Sequence, residues 1–258
     1  MASPRVVLFD IGSTLWSSPA EDPDALRRCY GRARDALLAS MPDVPPIEAL
    51  IDAVEHYFAE WEDIWRTDAD RVQQPPTTEY VATALRQLNL EPPAAALASF
   101  TDELLETSVY TAKVLPPEPG MSEALASLRA LGVRLACVSN AFMGAATLNR
   151  IMDERGLGRH LELTVSSCEF GWRKPHASIY QEAARLMGAT TTEVVFVGDR
   201  LDADVAGPAS LGMLTVLTHQ YRQEDPSAAP VRPNAVINHL TELPDVVETL
   251  IKRADRAD

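Results

Sequence analysis

"VVLFDIGSTLW", residues 6–16, decides how the rest of the chain is read. Four apolar residues, Val6 to Phe9, run without a polar break into Asp10, and the small residues Gly12, Ser13 and Thr14 follow. A strand buried on both faces has this continuous apolar texture, whereas a half-exposed strand alternates. The stretch therefore predicts a buried strand that delivers a carboxylate to the edge of a sheet.

Outward from that strand the texture splits in two. Residues 20–112 hold no convincing strand. Over 47–66, Ile47, Leu50, Ile51, Val54, Tyr57, Phe58, Trp61, Ile64 and Trp65 recur at helical spacing. The aromatics among them share one helix face, which reads as packing. Further helices are expected over 24–40, 77–89 and 93–109, separated by Pro42, Pro45, Pro46, Pro75, Pro76, Pro92 and Pro93. From Pro116 onward short strands at 133–138, 161–165, 194–197 and 213–217 alternate with helices at 119–131, 143–155, 176–187, 203–211 and near 241–253, with a loop at 219–234. That alternation predicts an α/β fold whose parallel sheet is covered on both faces. The first strand joins this sheet, and the helical stretch is inserted after it.

The whole composition narrows the function classes. With 258 residues, 46% hydrophobic and 23% charged, the chain suits one large or two smaller globular domains. A net charge of −14 argues against a nucleic-acid or anionic-membrane surface, since phosphate backbones require basic patches. No apolar run approaches the roughly 20 residues of a membrane helix. A small phosphorylated substrate needs only a few local donors and stays open. The start, MASPRVV, has no secretory apolar region, and Cys29, Cys137 and Cys168 are too scattered for a disulfide or zinc site. A cytoplasmic location is expected; monomer and dimer are both compatible.

Polar groups gather where open α/β sheets place ligands, at the C-terminal ends of strands. Asp10 follows VVLF, Ser139 and Asn140 follow LACV, and Asp199 follows VVFVG, with Asp202 and Asp204 beyond it. Lys174 lies in the loop FGWRKPHAS. This set suits phosphoryl transfer through an aspartyl-phosphate on Asp10. A carboxylate approaching a phosphate meets charge repulsion, so a hard cation is needed between them, and Mg²⁺ accepts two or three carboxylates while keeping several waters. Asp10 and Asp199 are expected to ligate it, with Asp204 in the inner or outer shell. Lys174 would neutralise the nucleophile and phosphoryl oxygens. Ser139, Asn140 and the backbone N–H groups after them would hold the remaining oxygens; Ser139 is also placed to cap helix 143–155. Asp202 reads as exposed, and His176 as a residue at a helix start.

The ordered set FDIGSTL, VSN, RKP and GDRLDAD resembles the four motifs of the haloacid dehalogenase superfamily. The resemblance implies a Rossmann-like core over 1–16 and 116–258 with an all-helical cap over 17–115. It assigns the nucleophile to Asp10, the phosphate-binding hydroxyl to Ser139, the motif lysine to Lys174 and metal-binding acids to Asp199 and Asp204. It also puts Trp16 and Ser17 near the substrate. The chain departs from the pattern at Gly12, where phosphatases of the family usually have a second Asp as general acid. A glycine keeps the backbone carbonyl that would ligate the metal and loses the proton donor.

The expectation is a Mg²⁺-dependent hydrolase of a small phosphorylated metabolite. Its rivals are a catalytically impaired homologue that binds a phosphometabolite or protein partner, and an enzyme that cleaves C–P or C–halogen bonds. Acid-rich GDRLDAD argues against dehalogenation. Lys113, the only lysine in 17–115, gives little support to the C–P route.

Overall fold

Val6–Phe9 forms β1, and all four side chains are buried, as the apolar run requires. The computed structural model describes residues 2–17, 22–68, 70–228 and 231–256. Two compact units emerge, one from Met1–Ser18 with Pro116–Asp258, the other from Pro19–Leu115.

The second unit is helical. It holds α1 (Pro23–Leu38), α2 (Ile47–Thr67), α3 (Thr77–Gln87) and α4 (Ala94–Val114). Pro46, Pro76 and Pro93 stand immediately before α2, α3 and α4. A proline there lacks a donor and pushes the preceding residue out of helix, so each ends one segment and starts the next. The unit's core is built from Tyr30, Leu37, Leu50, Val54, Val81, Leu85, Phe100 and Leu104. Tyr30 meets Phe100 edge-on at 6.1 Å and donates from its hydroxyl to Glu55 at 2.8 Å, so this buried phenol keeps a partner. The aromatics of α2 pack as their spacing predicts: Tyr57, Phe58, Trp61 and Trp65 surround the Tyr80 ring.

The first unit is the parallel sheet. After α5 (Met121–Ala130) come β2 (Arg134–Ser139), α6 (Ala145–Glu154), β3 (Thr164–Ser166), α7 (Ser167–Phe170), α8 (Ala177–Leu186), β4 (Val194–Gly198), the short α9 (Gly207–Ala209), β5 (Leu214–Thr218), β6 (Ala235–Ile237) and α10 (Leu243–Ala254). The six strands lie in the order β3-β2-β1-β4-β5-β6, and every pairing is parallel. The result is the Rossmann-like α/β sheet that the strand–helix alternation implies. Val6, Leu8, Ala136, Val138, Val194 and Phe196 turn to one face and pack on Ile179, Tyr180 and Ala183 of α8. Their alternating neighbours, such as Val7, Phe9, Leu135 and Val195, are buried on the other face.

Two elements differ from the sequence reading. β6 follows the expected loop directly, in a stretch to which the sequence reading gave no element, and its three residues pair with β5 at the sheet's edge. The helix expected over 203–211 is a π-helical turn at Leu201–Ala206 followed by α9. The segment's alanines and leucines suit a helix, but Pro208 has no N–H to continue an α-ladder through it.

Candidate active site

Register brings the site together. Phe9 pairs with Cys137 of β2 and with Val197 of β4, so the three strand ends are level. Asp10, the next residue, still donates its N–H to the Val197 carbonyl at 2.9 Å. Asp10, Ser139, Asn140 and Asp199 therefore leave the sheet along one rim.

Immediately after Asp10 the chain folds back on itself. The N–H groups of Leu15 and Trp16 both donate to the Ile11 carbonyl, at 2.9 and 3.0 Å, and Ser13 donates to the Trp16 carbonyl at 2.6 Å. Ser13 adopts φ 57° to close this turn, and Gly12 bridges to Trp16. The turn leaves Thr14 Oγ1 and the Trp16 indole Nε1 buried with no hydrogen-bond partner among the described residues. Each such group costs about 1–3 kcal/mol, so the turn beside Asp10 holds unspent polar capacity.

Asp204 reaches the rim through the π-turn. Its Oδ2 accepts the N–H groups of Asp199 at 3.1 Å and Arg200 at 3.0 Å, and its Oδ1 accepts from Lys174 Nζ at 2.8 Å. A Cβ at position 198 would overlap this carboxyl group, which is why a glycine ends β4. Widened turns of this kind are rare and occur frequently at functional sites. Asp202 pairs outward with Arg200, as its exposure in the sequence reading implied.

Lys174 is held from both ends. Its backbone N–H donates to Asn140 Oδ1 at 2.8 Å, and Asn140 Nδ2 donates to its carbonyl at 2.9 Å. The amide expected to hold phosphate oxygens thus gives its oxygen and one of its two N–H donors to the lysine's backbone, and Asn140 positions Lys174. Nζ lies 2.6 Å from Asp10 Oδ1 and 2.8 Å from Asp204 Oδ1, with the Phe196 ring centroid 5.2 Å away. Burial works against the ammonium's charge. The two carboxylates override it, and the lysine stays protonated above its ordinary range.

Asp10, Asp199 and Asp204 are all buried, and each offers an oxygen within 4.8 Å of the others. Burial, then the charges of Asp10 and Asp204, push Asp199 up to about 7. Burial also raises Asp204, although Lys174 opposes it. Three crowded carboxylates facing one ammonium form a site short of positive charge. Carboxylate oxygens so gathered are donors of the kind a hard cation takes.

Removing the ammonium exposes this shortage. The Lys174→Met variant, in metal-free buffer at pH 8, should lose about 3–5 kcal/mol of stability because Asp10 and Asp204 stay buried without their cation. Urea unfolding should show the loss, and it should shrink at pH 5, where Asp204, raised by its burial, can take up a proton.

Ser139 ends β2 and is buried beside Ser166, its partner in register on β3. It does not cap the following helix. Glu169 accepts the Ala145 N–H at the start of α6 at 3.0 Å, and Ser167 Oγ accepts the Ala141 N–H at 3.0 Å. One N–H of the turn expected to cradle phosphate is therefore already engaged. His176 caps α8 by accepting from the Ser178 N–H.

Sequence reasoning missed the segment after β5. Arg222 places a guanidinium nitrogen 3.8 Å from Asp199 Oδ2, and Glu224 accepts the Leu201 N–H at 2.7 Å at the start of the π-turn. The run RQE after a strand was the signal available, but nothing in its spacing says that it turns back toward the rim.

The haloacid dehalogenase-like hydrolase family model matches residues 4–212. The chain is 28% identical to the glyceraldehyde 3-phosphate phosphatase of Methanopyrus kandleri over 252 residues, covering 96% of this chain and 99% of that protein. It is 30% identical over 168 residues to the glyceraldehyde 3-phosphate phosphatase of Methanocaldococcus jannaschii, covering 61% of this chain and 70% of that one. Among solved structures, the 2-haloacid dehalogenase from Pseudomonas syringae pv. Tomato DC3000 superposes with a TM-score of 0.63 at 20% identity, over 95% of this chain and 99% of that one. With four motifs converging on one rim and the family model spanning most of the chain, the protein belongs to the haloacid dehalogenase-like hydrolases.

Proposed function

We propose that this hydrolase is a Mg²⁺-dependent phosphatase of small phosphorylated metabolites that works through an aspartyl-phosphate on Asp10, with residues 17–115 as its helical cap. The observation that carries the reading is Asp10 on the rim, paired at 2.6 Å with Lys174 and within 4.8 Å of two further buried acids. Relatives named as phosphatases support the substrate class.

The residues fit a hard cation. All three side-chain donors are carboxylate oxygens, which suit Mg²⁺. Asp204 already spends both oxygens on Lys174 and two backbone N–H groups, so Asp10 and Asp199 are the direct ligands and Asp204 orients them. The Gly12 carbonyl completes the protein's set. The cation, when bound, screens the repulsion between Asp10 and the phosphate and stabilises charge on the phosphoryl oxygens.

In the proposed reaction one Asp10 oxygen attacks phosphorus and the ester oxygen departs; water then hydrolyses the acyl phosphate and regenerates the carboxylate. Lys174 stays protonated throughout, holding Asp10 in line and meeting the charge of the transferred group. Ser139 and backbone N–H groups of the turn after it bind phosphoryl oxygens. Trp16, with its buried indole N–H, is the proposed contact to the substrate beyond the phosphate.

Purified protein with a panel of phosphate esters tests the reading. Phosphate release that needs Mg²⁺ and stops with EDTA is the expected result. Silence across the panel, with orthophosphate still binding, would favour the non-catalytic homologue that Gly12 makes a serious rival. Chloride release from 2-chloropropionate without a divalent cation would overturn the reading in favour of dehalogenation.

The raised acids also give a pH signature. Asp199, at about 7 in the folded protein, binds its proton more tightly than in the unfolded chain. Its contribution to stability is present below the ordinary carboxylate range and is lost as pH rises through 7. Mg²⁺ needs the ionised form, so its stabilisation runs the other way. At one fixed concentration, a hundredfold above the Kd at pH 8, Mg²⁺ should raise the melting temperature by roughly 5–10 °C at pH 8 and by much less at pH 5. Equal shifts at both pH values would remove the acid cluster as the metal site.

A further inference from the structure

Among the described residues, the cations ion-paired to the acid cluster are Lys174 and Arg222, and they are spent differently. Lys174 is buried between two carboxylates. Nearby Arg200 directs its guanidinium fork onto Asp202 with two hydrogen bonds, at 3.1 and 3.0 Å. Arg222 has a side chain 45% exposed, a loose 3.8 Å contact to Asp199 Oδ2 and a 3.0 Å contact to Glu224 Oε1. Most of its five N–H donors remain open to a ligand.

The segment holding Arg222 is built rather than loose. Glu224 Oε2 is anchored on the Leu201 N–H at 2.7 Å, its carbonyl meets His219 Nε2 at 3.0 Å, and the His219 N–H donates to Ile237 of β6 at 2.8 Å. These contacts tie the segment to the acid turn on one side and to the sheet edge on the other. The anchored Glu224 holds the guanidinium from one side, which leaves Arg222 beside Asp199, whereas Lys174 pairs directly with Asp10.

We propose that Arg222 is a specificity residue: it receives a second anionic group, a carboxylate or another phosphate, on the leaving group of the ester. A cation on Asp10 and Asp199 cancels the negative charge that holds Arg222 to the cluster, and a guanidinium matches carboxylate and phosphate geometry with two parallel hydrogen bonds. Lys174 and the metal already serve the transferred phosphoryl group, so Arg222 is left for what lies beyond it. The inference rests on the phosphatase reading for its kinetics but not for its binding test.

Calorimetry with the Mg²⁺-loaded protein compares phosphonoacetate, which has both anionic groups, with methylphosphonate, which has one. Wild type should bind phosphonoacetate at least tenfold more tightly, Arg222→Gln should cut that ratio about tenfold or more, and Arg222→Lys should retain part of it. Steady-state kinetics should follow: the kcat/KM ratio of 2-phosphoglycolate to ethyl phosphate falls about tenfold or more in Arg222→Gln, mainly through KM. An unchanged ratio in either assay, or equal losses for both members of a pair, would overturn the proposal. Absence of phosphate release from any ester would sink the phosphatase reading, and the phosphonate ratio would still decide the role of Arg222.

Discussion

Asp10→Asn should lower phosphate release by about 10⁴-fold or more and leave the protein folded. The variant keeps an oxygen where Asp10 Oδ1 accepts from Lys174 at 2.6 Å, so the buried ammonium retains an acceptor. It loses the negative charge that the proposed roles of nucleophile and metal ligand both require. An amide oxygen attacks phosphorus too weakly to replace it. A second consequence is electrostatic: Asp10 is one of the charges that push Asp199 up, so Asp199 should ionise at lower pH in the variant. Phosphate release measures the first effect, and trapping with hydroxylamine identifies the intermediate. Wild type should yield a hydroxamate at position 10 and the variant none. If Asp10→Asn kept more than about 1% of the wild-type rate, the nucleophile would have to be sought elsewhere.

The ease of naming Asp10 from sequence has a physical basis. A strand buried on both faces cannot alternate polar residues, so Val6–Phe9 announces itself, and the first polar residue after it marks the rim. The same holds for Val138 before Ser139 and for Val197 and Gly198 before Asp199. A parallel sheet puts all those ends on one side, so residues more than a hundred positions apart meet without any local signal that they do. The helical unit was legible for a different reason: Pro46, Pro76 and Pro93 punctuate it. What stayed hidden depends on where side chains and loops turn after leaving the sheet. Asn140 has the amide donor expected of a phosphate ligand, and only the path of residues 171–176 brings the Lys174 backbone against its amide. The π-turn hides because its composition suits an α-helix. Glu224 and Arg222 hide because their partners, Leu201 and Asp199, belong to a different strand's exit.

Gly12 should make the rate depend steeply on the leaving group. A positioned general acid is typically worth about 10²–10⁴ in rate, roughly 3–5 kcal/mol of barrier. That benefit is large when an alkoxide must depart and small when the leaving group is already a weak base. Acetyl phosphate and p-nitrophenyl phosphate should therefore turn over readily, and alkyl esters of similar size about 10²–10⁴ more slowly. A plot of log kcat against leaving-group pKa should fall steeply for the wild type. Gly12 is not among the glycines in the left-handed region, so its φ does not require a glycine, and Gly12→Asp offers the reciprocal test. The new carboxyl should raise alkyl-ester turnover by up to the same 10²–10⁴ and flatten the plot, with little change for activated esters. A flat plot in the wild type would mean that a proton reaches the leaving group from elsewhere, either from another side chain or from the substrate itself. In that case the glycine selects substrates that bring their own acid, and the chemistry at Asp10 is unchanged.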